Sequence, residues 1–506
     1  MSSARRVMIF MFGSRGDVQP LLALGLRLQR EGYAVLCSAN VNHVGFAQSL
    51  GVQCVGTHFD FEAFAKAELL AAMASGKGSD LSEAILKKML ATAEQAFAAM
   101  LAAARDFRPE CLVTNAIDLY FAHALGTALE LPVCLASLSA QGMIALSDQV
   151  TTELNEPCGH KAAALLILKI FSHILHQLEP KVRAVLGDAL PRTTPLFAAD
   201  FATFCHEHMR PIAPHLVSAS PLLSPKPSDL PAQHARQTTF TGYWVIPAAE
   251  QQRRVQQADA SWGDGADSLA RLSAFLAAAD GVPTVYIGWG SMIPAPPHAL
   301  CALAVGALQL AGLRAVILGG WAELRAELLP PPLAAYAASH VHFARAAPHE
   351  WLFPRCAALV HHGGAGTAAA SLRAGVPAVV TPCLFDQFEH ARLLARAGAG
   401  IATRPLQKLT PPELAAALRR AVGDGAMRAA AAALGERLRA EDGVGCAAAA
   451  VGRFFREELD SGEWRGNWRE VQRWRRELPH GGAGFVVRAL CATAEEFRDP
   501  PAPKTR

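Results

Sequence analysis

Residues 357–367 read Ala357-Ala-Leu-Val-His-His-Gly-Gly-Ala-Gly-Thr367, an apolar run that enters a glycine turn and then a helical stretch from about Thr367. A strand that ends in glycines before a helix presents free backbone N–H groups, and the positive end of the helix dipole, to an anion. His362 adds a side-chain donor. The segment predicts an α/β domain whose glycine loop binds phosphate.

Two further loops follow predicted strands of the same half of the chain. Gly288-Trp-Gly-Ser291 has glycines that allow a ligand to approach the backbone, and Ser291 offers a hydroxyl. Asp386 and Gln387 form a carboxylate–carboxamide pair suited to vicinal sugar hydroxyls. Taken alone, that pair is better explained as a helix N-cap aspartate followed by a solvated glutamine. In a parallel sheet all three loops meet at one edge.

The same alternation of strand and helix runs through most of the chain, which predicts parallel sheets covered by helices. In the first half it begins with a strand at Val7–Phe12, a glycine loop and a helix at Val18–Arg30. The fold class is therefore α/β, with two facing Rossmann-like domains and a cleft between them. The other predicted strands are Tyr33–Ser38, Cys111–Thr114, Pro132–Ala136, Thr284–Ile287, Ala315–Leu318, Val341–Phe343, Ala378–Thr381 and Gly400–Thr403.

A proline-rich stretch between Ser218 and Pro247 separates the halves. The predicted domains are residues 1–245, 246–450 and a helical tail at 451–506. In the tail, Trp464 and Trp468 share one helical face, which would suit either a membrane surface or packing onto the body of the protein. Because six arginines are matched by six acidic residues between Phe454 and Leu478, packing is the preferred interpretation.

Composition limits the class of protein. The 506 residues exceed what one core serves, 51% of them are hydrophobic, and the formal charge is only +3. Such a balance argues against nucleic acid as a partner. The 11 scattered cysteines and the short Val7–Phe12 run predict a reduced, cytoplasmic protein with at most peripheral membrane contact. The apolar stretch Ala162–Leu178, with His173 and His176, is the candidate for contact with an apolar acceptor substrate.

The glycine loop also has a competing interpretation. Gly364-x-Gly366-x-x-Ala369 satisfies a dinucleotide fingerprint, and Asp386 lies about twenty residues further on. Such a fingerprint normally occupies the first strand–helix turn of its domain, whereas this one follows several strand–helix units. An NAD(P)-binding oxidoreductase is therefore the alternative interpretation, with a catalytically inactive binding protein as a second alternative.

The stretch from Pro348-His-Glu-Trp-Leu-Phe-Pro354 through the His361–Thr367 loop to Asp386-Gln387 resembles the UDP-dependent glycosyltransferases of the two-domain GT-B type. Gly13-Ser-Arg-Gly-Asp-Val-Gln-Pro20 belongs to the same resemblance. The closest likeness is to sterol 3-beta-glucosyltransferases and to related bacterial enzymes that glycosylate macrolides and lipids. Phe388-Glu-His390 departs from the Pro-Phe-Trp typical of the sterol enzymes, which weakens the sterol assignment more than the glycosyltransferase assignment.

The resemblance implies roles for residues of the second domain. His362 and the backbone N–H groups of Gly364, Gly366 and Thr367 would hold the diphosphate, and Ser291 would touch the same group. Asp386 and Gln387 would bind the hydroxyls of the donor sugar. The segment Ala347–Trp351 would border the uracil, although Trp351 itself is better explained as a core residue.

Asp17 is the predicted general base, since sugar transfer with inversion needs a group that removes the acceptor proton. It also suits the N-cap of a helix that begins at Val18. Asp118 is a candidate supporting partner. No Asp-x-Asp motif is present, so we expect no metal and no cofactor, with a helix N-terminus stabilising the leaving group. The sequence therefore predicts transfer of a hexose, glucose foremost, from a UDP-sugar to a hydroxyl of a lipophilic acceptor.

Overall fold

The computed structural model describes residues 4–140, 177–187, 196, 213–226, 232–257, 259, 262–263, 266–278 and 281–477. The candidate acceptor stretch Ala162–Leu178, including His173 and His176, lies outside these residues except for its last two positions. The fold is set by two parallel sheets, one in each half of the chain.

The first sheet has seven strands in the order β3-β2-β1-β4-β5-β6-β7, and all its pairings are parallel. Strand β1 lies at its centre and is buried along almost its whole length, as expected for a strand covered by helices on both faces. The strands are β1 (Arg6–Met11), β2 (Ala34–Asn40), β3 (Gln53–His58), β4 (Cys111–Thr114), β5 (Val133–Ser137), β6 (His215–Val217) and β7 (Thr238–Phe240).

Helices connect and cover these strands, and residues 177–186 are also helical. The remaining helices of this half are α1 (Arg15–Arg30), α2 (Val44–Ser49), α3 (Phe61–Glu68), α4 (Leu70–Ser75), α5 (Gly78–Phe107), α6 (Leu119–Leu129) and α7 (Ala232–Gln237).

The second sheet has six parallel strands in the order β10-β9-β8-β11-β12-β13. Its strands are β8 (Thr284–Gly288), β9 (Arg314–Leu318), β10 (Val341–Ala344), β11 (Leu359–His361), β12 (Ala378–Val380) and β13 (Gly400–Ala402). The helices of this half of the chain are α8 (Ala248–Gln256), α9 (Ala266–Ala277), α10 (Pro297–Ala311), α11 (Pro331–His340), α12 (His349–Leu352), α13 (Ala365–Ala374), α14 (Gln387–Arg396), α15 (Pro411–Gly423), α16 (Gly425–Arg439), α17 (Gly443–Phe454) and α18 (Glu463–Glu477).

Each sheet reverses its strand order beside its first strand, between β1 and β4 and between β8 and β11. In open α/β sheets, ligands bind in the crevice outside the carboxyl ends of the strands at such a point. The loop that carries Asp17 follows β1, and the glycine loop that carries His362 follows β11. The topology therefore places both predicted loops at ligand-binding positions, and it confirms the α/β fold with two Rossmann-like sheets.

Helix α1 begins three residues before its predicted start. Ser14 is the N-cap residue, with extended φ and ψ of −78° and 175°, and Arg15 to Asp17 are already helical. The prediction that Asp17 is an N-cap for a helix starting at Val18 is therefore wrong. Asp17 is the third helical residue, from which its carboxylate reaches back to the N-cap, as in a capping box.

Helix α18 packs onto the first domain. Trp464 and Trp468 are 1% and 6% exposed and join a core cluster that includes Val7 and Ile9 of β1 and Phe454. Their rings stack with centroids 5.8 Å apart. These two tryptophans of the helix are thus covered by protein. Within the described residues, we find no helix with the length and apolarity that a membrane span requires.

Candidate functional site

The phosphate-type loop runs from the end of β11 to the start of α13. Strand β11 ends at His361, Gly364 is the N-cap residue, and α13 begins at Ala365, two residues before the predicted start at Thr367. Thr367 is therefore the third helical residue. A ten-residue helix that begins in the cleft presents its first N–H groups and its dipole to an anion.

Gly363 makes the turn between strand and helix. Its φ of 90° lies in the left-handed region, and a Cβ there would stand 2.7 Å from Cγ1 of Val380. Two histidines hold its peptide groups: the N–H donates to Nδ1 of His361 at 3.1 Å, and the carbonyl accepts from Nδ1 of His390 at 2.7 Å. Since a carbonyl only accepts, His390 carries its proton on Nδ1. The loop is therefore fixed without a ligand.

His362 lies under the start of α13. A Cβ on Gly364 would come within 2.4 Å of its Nε2, and one on Gly290 within 3.3 Å of its Cε1. The ring is 7% exposed, and its Nδ1 is buried without a partner among the described residues. Burial, helped by nearby His390, lowers the pKa of His362 to about 4. His362 is therefore a neutral donor at pH 7 in the free protein.

The turn after β8 packs directly on this ring. Gly290 adopts φ 57°, and its carbonyl accepts a hydrogen bond from the N–H of Trp321 at 2.9 Å. Ser291 follows it and is partly exposed. Because β8 and β11 are neighbours in the sheet, Ser291 comes to the same edge as His362. The structure thus brings these two predicted residues together.

Asp386 occupies the N-cap position of α14, but its side chain makes no capping bond. Its carboxylate instead accepts a hydrogen bond from the Ser139 side chain of the first domain. Burial raises the pKa of Asp386, against the opposing effects of His390 and Ser139. The residue before it, Phe385, has φ 52°, which is rare for a bulky side chain and occurs mostly at functional sites.

Gln387 is 5% exposed, so the alternative of a solvated glutamine is wrong. Its Oε1 accepts from the N–H groups of Cys383 and Leu384, at 2.8 and 3.1 Å, and its Nε2 contacts Sδ of Met292 at 3.4 Å. The amide oxygen therefore shapes the loop after β12. The Nε2 group has one further hydrogen to donate to a ligand.

Asp17 lies in the opposing loop of the first domain. Its Oδ2 accepts from the N–H and the hydroxyl of Ser14, at 2.8 and 2.9 Å. Burial raises the pKa of Asp17 to about 6, the Ser14 bonds oppose the rise, and the nearby Asp386 carboxylate adds to it. Such a carboxylate is ionised at neutral pH and still basic enough to take a proton.

The two loops face each other across the domains. A Cβ on Gly366, in the first turn of α13, would lie 3.7 Å from the Cα of Gly16. The Asp386 carboxylate also contributes to the raised pKa of Asp17. The structure therefore brings the predicted base and the start of α13 together, with the predicted sugar-binding acid close enough to affect the base.

Asp118 lies deeper in the first domain. Its Oδ1 is 2.8 Å from Nε2 of His58 at the end of β3, and both side chains are fully buried. Its link to the Asp17 loop is indirect: the N–H of Asp118 donates to Asn115, which in turn donates to the carbonyl of Phe12. Asp118 is thus connected to the Asp17 loop through Asn115 and the carbonyl of Phe12.

Sequence reasoning missed three residues that hydrogen-bond the loop glycines: Asn40, His43 and His390. Asn40 ends β2 and His43 follows it at the same sheet edge, so the strand-end rule could have indicated their position. His349, in the segment predicted to border the uracil, stacks on Phe353 at 4.4 Å, and burial lowers its pKa to about 3. Trp351 is 8% exposed within a core cluster, which confirms its assignment to the core.

Comparisons with known proteins give the families that this chain resembles. Residues 332–443, which include His362 and Asp386, match the model of the C-terminal domain of erythromycin biosynthesis protein CIII-like proteins. A sterol 3-beta-glucosyltransferase of Emericella nidulans is 34% identical over 247 residues, which are 47% of this chain and 16% of that protein. The chain thus matches only a small part of the length of this relative.

Two other proteins match nearly the whole chain. A sterol 3-beta-glucosyltransferase of Arabidopsis thaliana is 27% identical over 469 residues, which cover 90% of this chain and 69% of that one. The solved glycosyltransferase SsfS6 of Streptomyces sp. SF2575, complexed with thymidine diphosphate, has a TM-score of 0.53 and 20% identity, covering 86% of this chain and 96% of that chain. The second likeness supports the fold. The chain accordingly has the GT-B fold and resembles the UDP-dependent glycosyltransferases, the sterol 3-beta-glucosyltransferases among them.

Proposed function

We propose that this chain transfers a hexose, glucose foremost, from UDP-glucose or a related UDP-sugar to a hydroxyl of a lipophilic acceptor, with inversion at the anomeric carbon. In this proposal, residues 1–245 bind the acceptor, 246–450 bind the donor, and 451–506 form a helical tail. The proposal rests on the site geometry and on the resemblance to sterol 3-beta-glucosyltransferases.

The donor diphosphate binds at the start of α13. The N–H groups of Gly364, Gly366 and Thr367 and the imidazole of His362 donate to its oxygens, and Ser291 adds a hydroxyl from the neighbouring strand. The unpartnered Nδ1 of buried His362 supports this assignment, because a buried polar atom without a partner is costly unless a ligand satisfies it. These donors also stabilise the charge that develops on UDP as it leaves.

The donor sugar lies beyond the diphosphate, where Asp386 accepts from its hydroxyls and Nε2 of Gln387 donates to them. Asp386 is suited to this role because its carboxylate leaves its own helix uncapped and faces the other domain. The hydroxyl of Ser139 donates a hydrogen bond to the Asp386 carboxylate, and a sugar hydroxyl would take the place of that donor.

In the chemical step, the oxygen of the acceptor hydroxyl attacks the anomeric carbon and forms a new C–O bond. The bond from that carbon to the phosphate oxygen breaks, and UDP leaves with the electron pair. The acceptor proton moves to the carboxylate of Asp17, which is ionised above about pH 6. Attack on the face opposite the phosphate inverts the anomeric centre.

One observation carries the proposal: Asp17 and Asp386, from different domains, lie close enough for one to raise the pKa of the other, beside the contact between Gly16 and Gly366. A base, a sugar-binding acid and an anion-binding helix start then share one small volume, as glycosyl transfer needs. The oxidoreductase alternative lacks this support, because the fingerprint follows the fourth strand of its sheet rather than the first.

An aromatic cluster that joins the two domains supports an apolar acceptor. The Phe12 ring contacts Phe59 and Phe61 edge-on, with centroids 5.6 and 5.3 Å apart. Phe61 also lies 6.0 Å from the Trp321 ring of the second domain. Phe59 and Trp321 are only partly buried, and their exposed apolar surface favours a sterol-like or other lipophilic alcohol. We propose further that the protein works in the cytoplasm and reaches membrane-dissolved acceptors as a peripheral protein.

The test has two stages. Calorimetric titration should give UDP binding in the micromolar range, with weaker binding of thymidine diphosphate and none of NAD or NADP. Incubation with UDP-glucose and cholesterol should then release UDP and form an acid-labile β-glucoside, in the presence or absence of a metal chelator.

Preference for thymidine diphosphate would overturn the donor assignment, and binding of NAD or NADP without UDP would move the oxidoreductase to first place. UDP binding without turnover on any hydroxylated lipid would indicate the inactive relative.

A further inference from the structure

Three buried polar side chains converge on two consecutive peptide groups just before Asp17. The N–H of Gly13 donates to Oδ1 of Asn40 at 2.9 Å, and the carbonyl of Gly13 accepts from Nε2 of His43 at 3.1 Å. The carbonyl of Phe12 accepts from Nδ2 of Asn115 at 2.8 Å. In an open loop, water could satisfy these N–H and carbonyl groups. Here buried side chains satisfy all three of them, which makes the arrangement specific to this loop.

The three side chains come from different parts of the first sheet. Asn40 ends β2, at a point where its pairing with β3 shifts register, and His43 lies in the turn Val41–His43 that follows. Asn115 follows β4, on the other side of β1. They are 0%, 7% and 3% exposed. Register shifts of this kind re-aim side chains near active sites.

Gly13 in turn fixes the carboxylate of Asp17. Its φ of 130° is accessible mainly to glycine, and a Cβ there would lie 2.5 Å from Oδ2 of Asp17. The carboxylate therefore rests directly on the backbone that Asn40 and His43 hold. A shift of this backbone would move the carboxylate relative to the donor sugar.

We infer that Asn40, His43 and Asn115 are positioning residues that hold the Phe12–Gly13 backbone and thereby set the place of Asp17 against the acceptor hydroxyl. They act through the loop and touch neither donor nor acceptor. This inference rests on the proposed role of Asp17 as the base, but the rigidity of the loop can be measured without turnover.

The first variants are His43→Leu, which removes the donor to Gly13, and His43→Gln, whose amide can replace it. The matched control is His215→Leu, the same change at a histidine that is 6% exposed and bonds Ser137 between β5 and β6. Asn115→Leu is a second test of the loop, should His43→Leu fail to fold.

Deuterium exchange measures the loop directly. Peptides covering residues 12–17 should exchange faster in His43→Leu and Asn115→Leu than in the wild type, whereas His43→Gln and His215→Leu should match the wild type. With UDP-glucose and cholesterol, kcat should fall about 10- to 100-fold in the two loop variants, while the KM for UDP-glucose stays within about twofold. His43→Gln should recover most of the rate.

The outcomes separate this inference from the proposed function. Unchanged exchange at residues 12–17 in both loop variants would overturn the positioning role, whatever the activity. Faster exchange with an unchanged kcat would show that the loop is held but that its position does not matter for transfer, which also overturns the inference. If both loop variants exchange faster than the wild type but the wild type transfers no sugar, the hydrogen bonds that hold the loop stand and the proposed function is wrong instead.

Discussion

The two glycine loops of this protein are built alike and carry different chemistry. In the first domain, Gly13 has φ 130°, and side chains hold both its N–H and its carbonyl. In the second, Gly363 has φ 90°, and two histidines hold the same two groups. The first loop leads to the carboxylate of Asp17, which we propose accepts a proton, whereas the second leads to the N–H groups at the start of α13, which we propose bind the diphosphate. Loops of similar construction at the switch points of the two sheets thus face each other, with a proposed base on one side and a proposed anion site on the other.

The largest expected effect on turnover comes from removing the proposed base of the first loop. Asp17→Asn should lower kcat by roughly 100- to 10,000-fold, because the amide cannot take the acceptor proton. UDP affinity should stay within about twofold, since the diphosphate lies on the other loop. Steady-state kinetics and calorimetry check both values. The control is Asp424→Asn, which alters a carboxylate that caps α16 through the N–H of Met427. If Asp17→Asn turned over normally, Asp17 would not be the base.

Alanine in place of Gly13 or Gly363 should affect turnover and UDP binding separately. Gly13→Ala pushes on Oδ2 of Asp17 and should lower kcat about 10- to 100-fold with UDP binding intact. Gly363→Ala meets Val380 and the carbonyl of Gln387, and should weaken UDP binding instead. Gly32→Ala imposes a similar strain, at φ 90°, in open space and serves as the control. If both loop variants lost UDP equally, the division of labour between the loops would be wrong.

The rate should depend on pH through Asp17. With the pKa of this carboxyl raised to about 6, kcat should rise as the pH increases through 6 and level off above 7. In Asp386→Asn the neighbouring negative charge is gone, so the pKa falls and the rising limb moves to lower pH. Rate profiles of both proteins between pH 4 and 8 provide the measurement. An unchanged limb would mean that the two carboxylates do not interact.

The smallest expected effect is on stability. Because the folded pKa of Asp17 lies above its unfolded value, ionisation costs the folded state, and this cost is complete above about pH 6. Asp17→Asn should therefore raise stability by roughly 1 kcal/mol at pH 8 and leave it nearly unchanged at pH 4, allowing for partial exposure. Urea denaturation at the two pH values measures the difference. Equal shifts at both values would argue against a raised pKa.

Much of this arrangement could be predicted from the sequence. Glycines after apolar runs identified both loops, where Gly13 and Gly363 adopt a positive φ that other residues rarely adopt. The strand alternation predicted the strands of the second sheet and four strands of the first within one or two residues, but it missed β3, β6 and β7. The start of α1 at Arg15 was also missed, because it depends on a reciprocal bond between Ser14 and Asp17 that an apolar pattern does not reveal.

The strand-end position of Asn40 and His43 could be predicted in the same way, but their hydrogen bonds to Gly13 could not. A whole helix and strand separate both residues from Gly13, and another helix and strand separate His390 from Gly363. Their roles depend on three-dimensional register, including the shift between β2 and β3. Gln387 was assigned from its chemistry alone, while its burial against Cys383 and Leu384 required the folded loop.

The most direct test of the central claim is calorimetric titration of UDP into the wild type, His362→Ala and Asp17→Asn, with His298→Ala as a surface control. We expect His362→Ala to weaken UDP binding about 3- to 10-fold, the value of one lost hydrogen bond, while the other two variants bind like the wild type. Wild-type affinity in His362→Ala, or a loss confined to Asp17→Asn, would contradict the assignment of the diphosphate to the second loop.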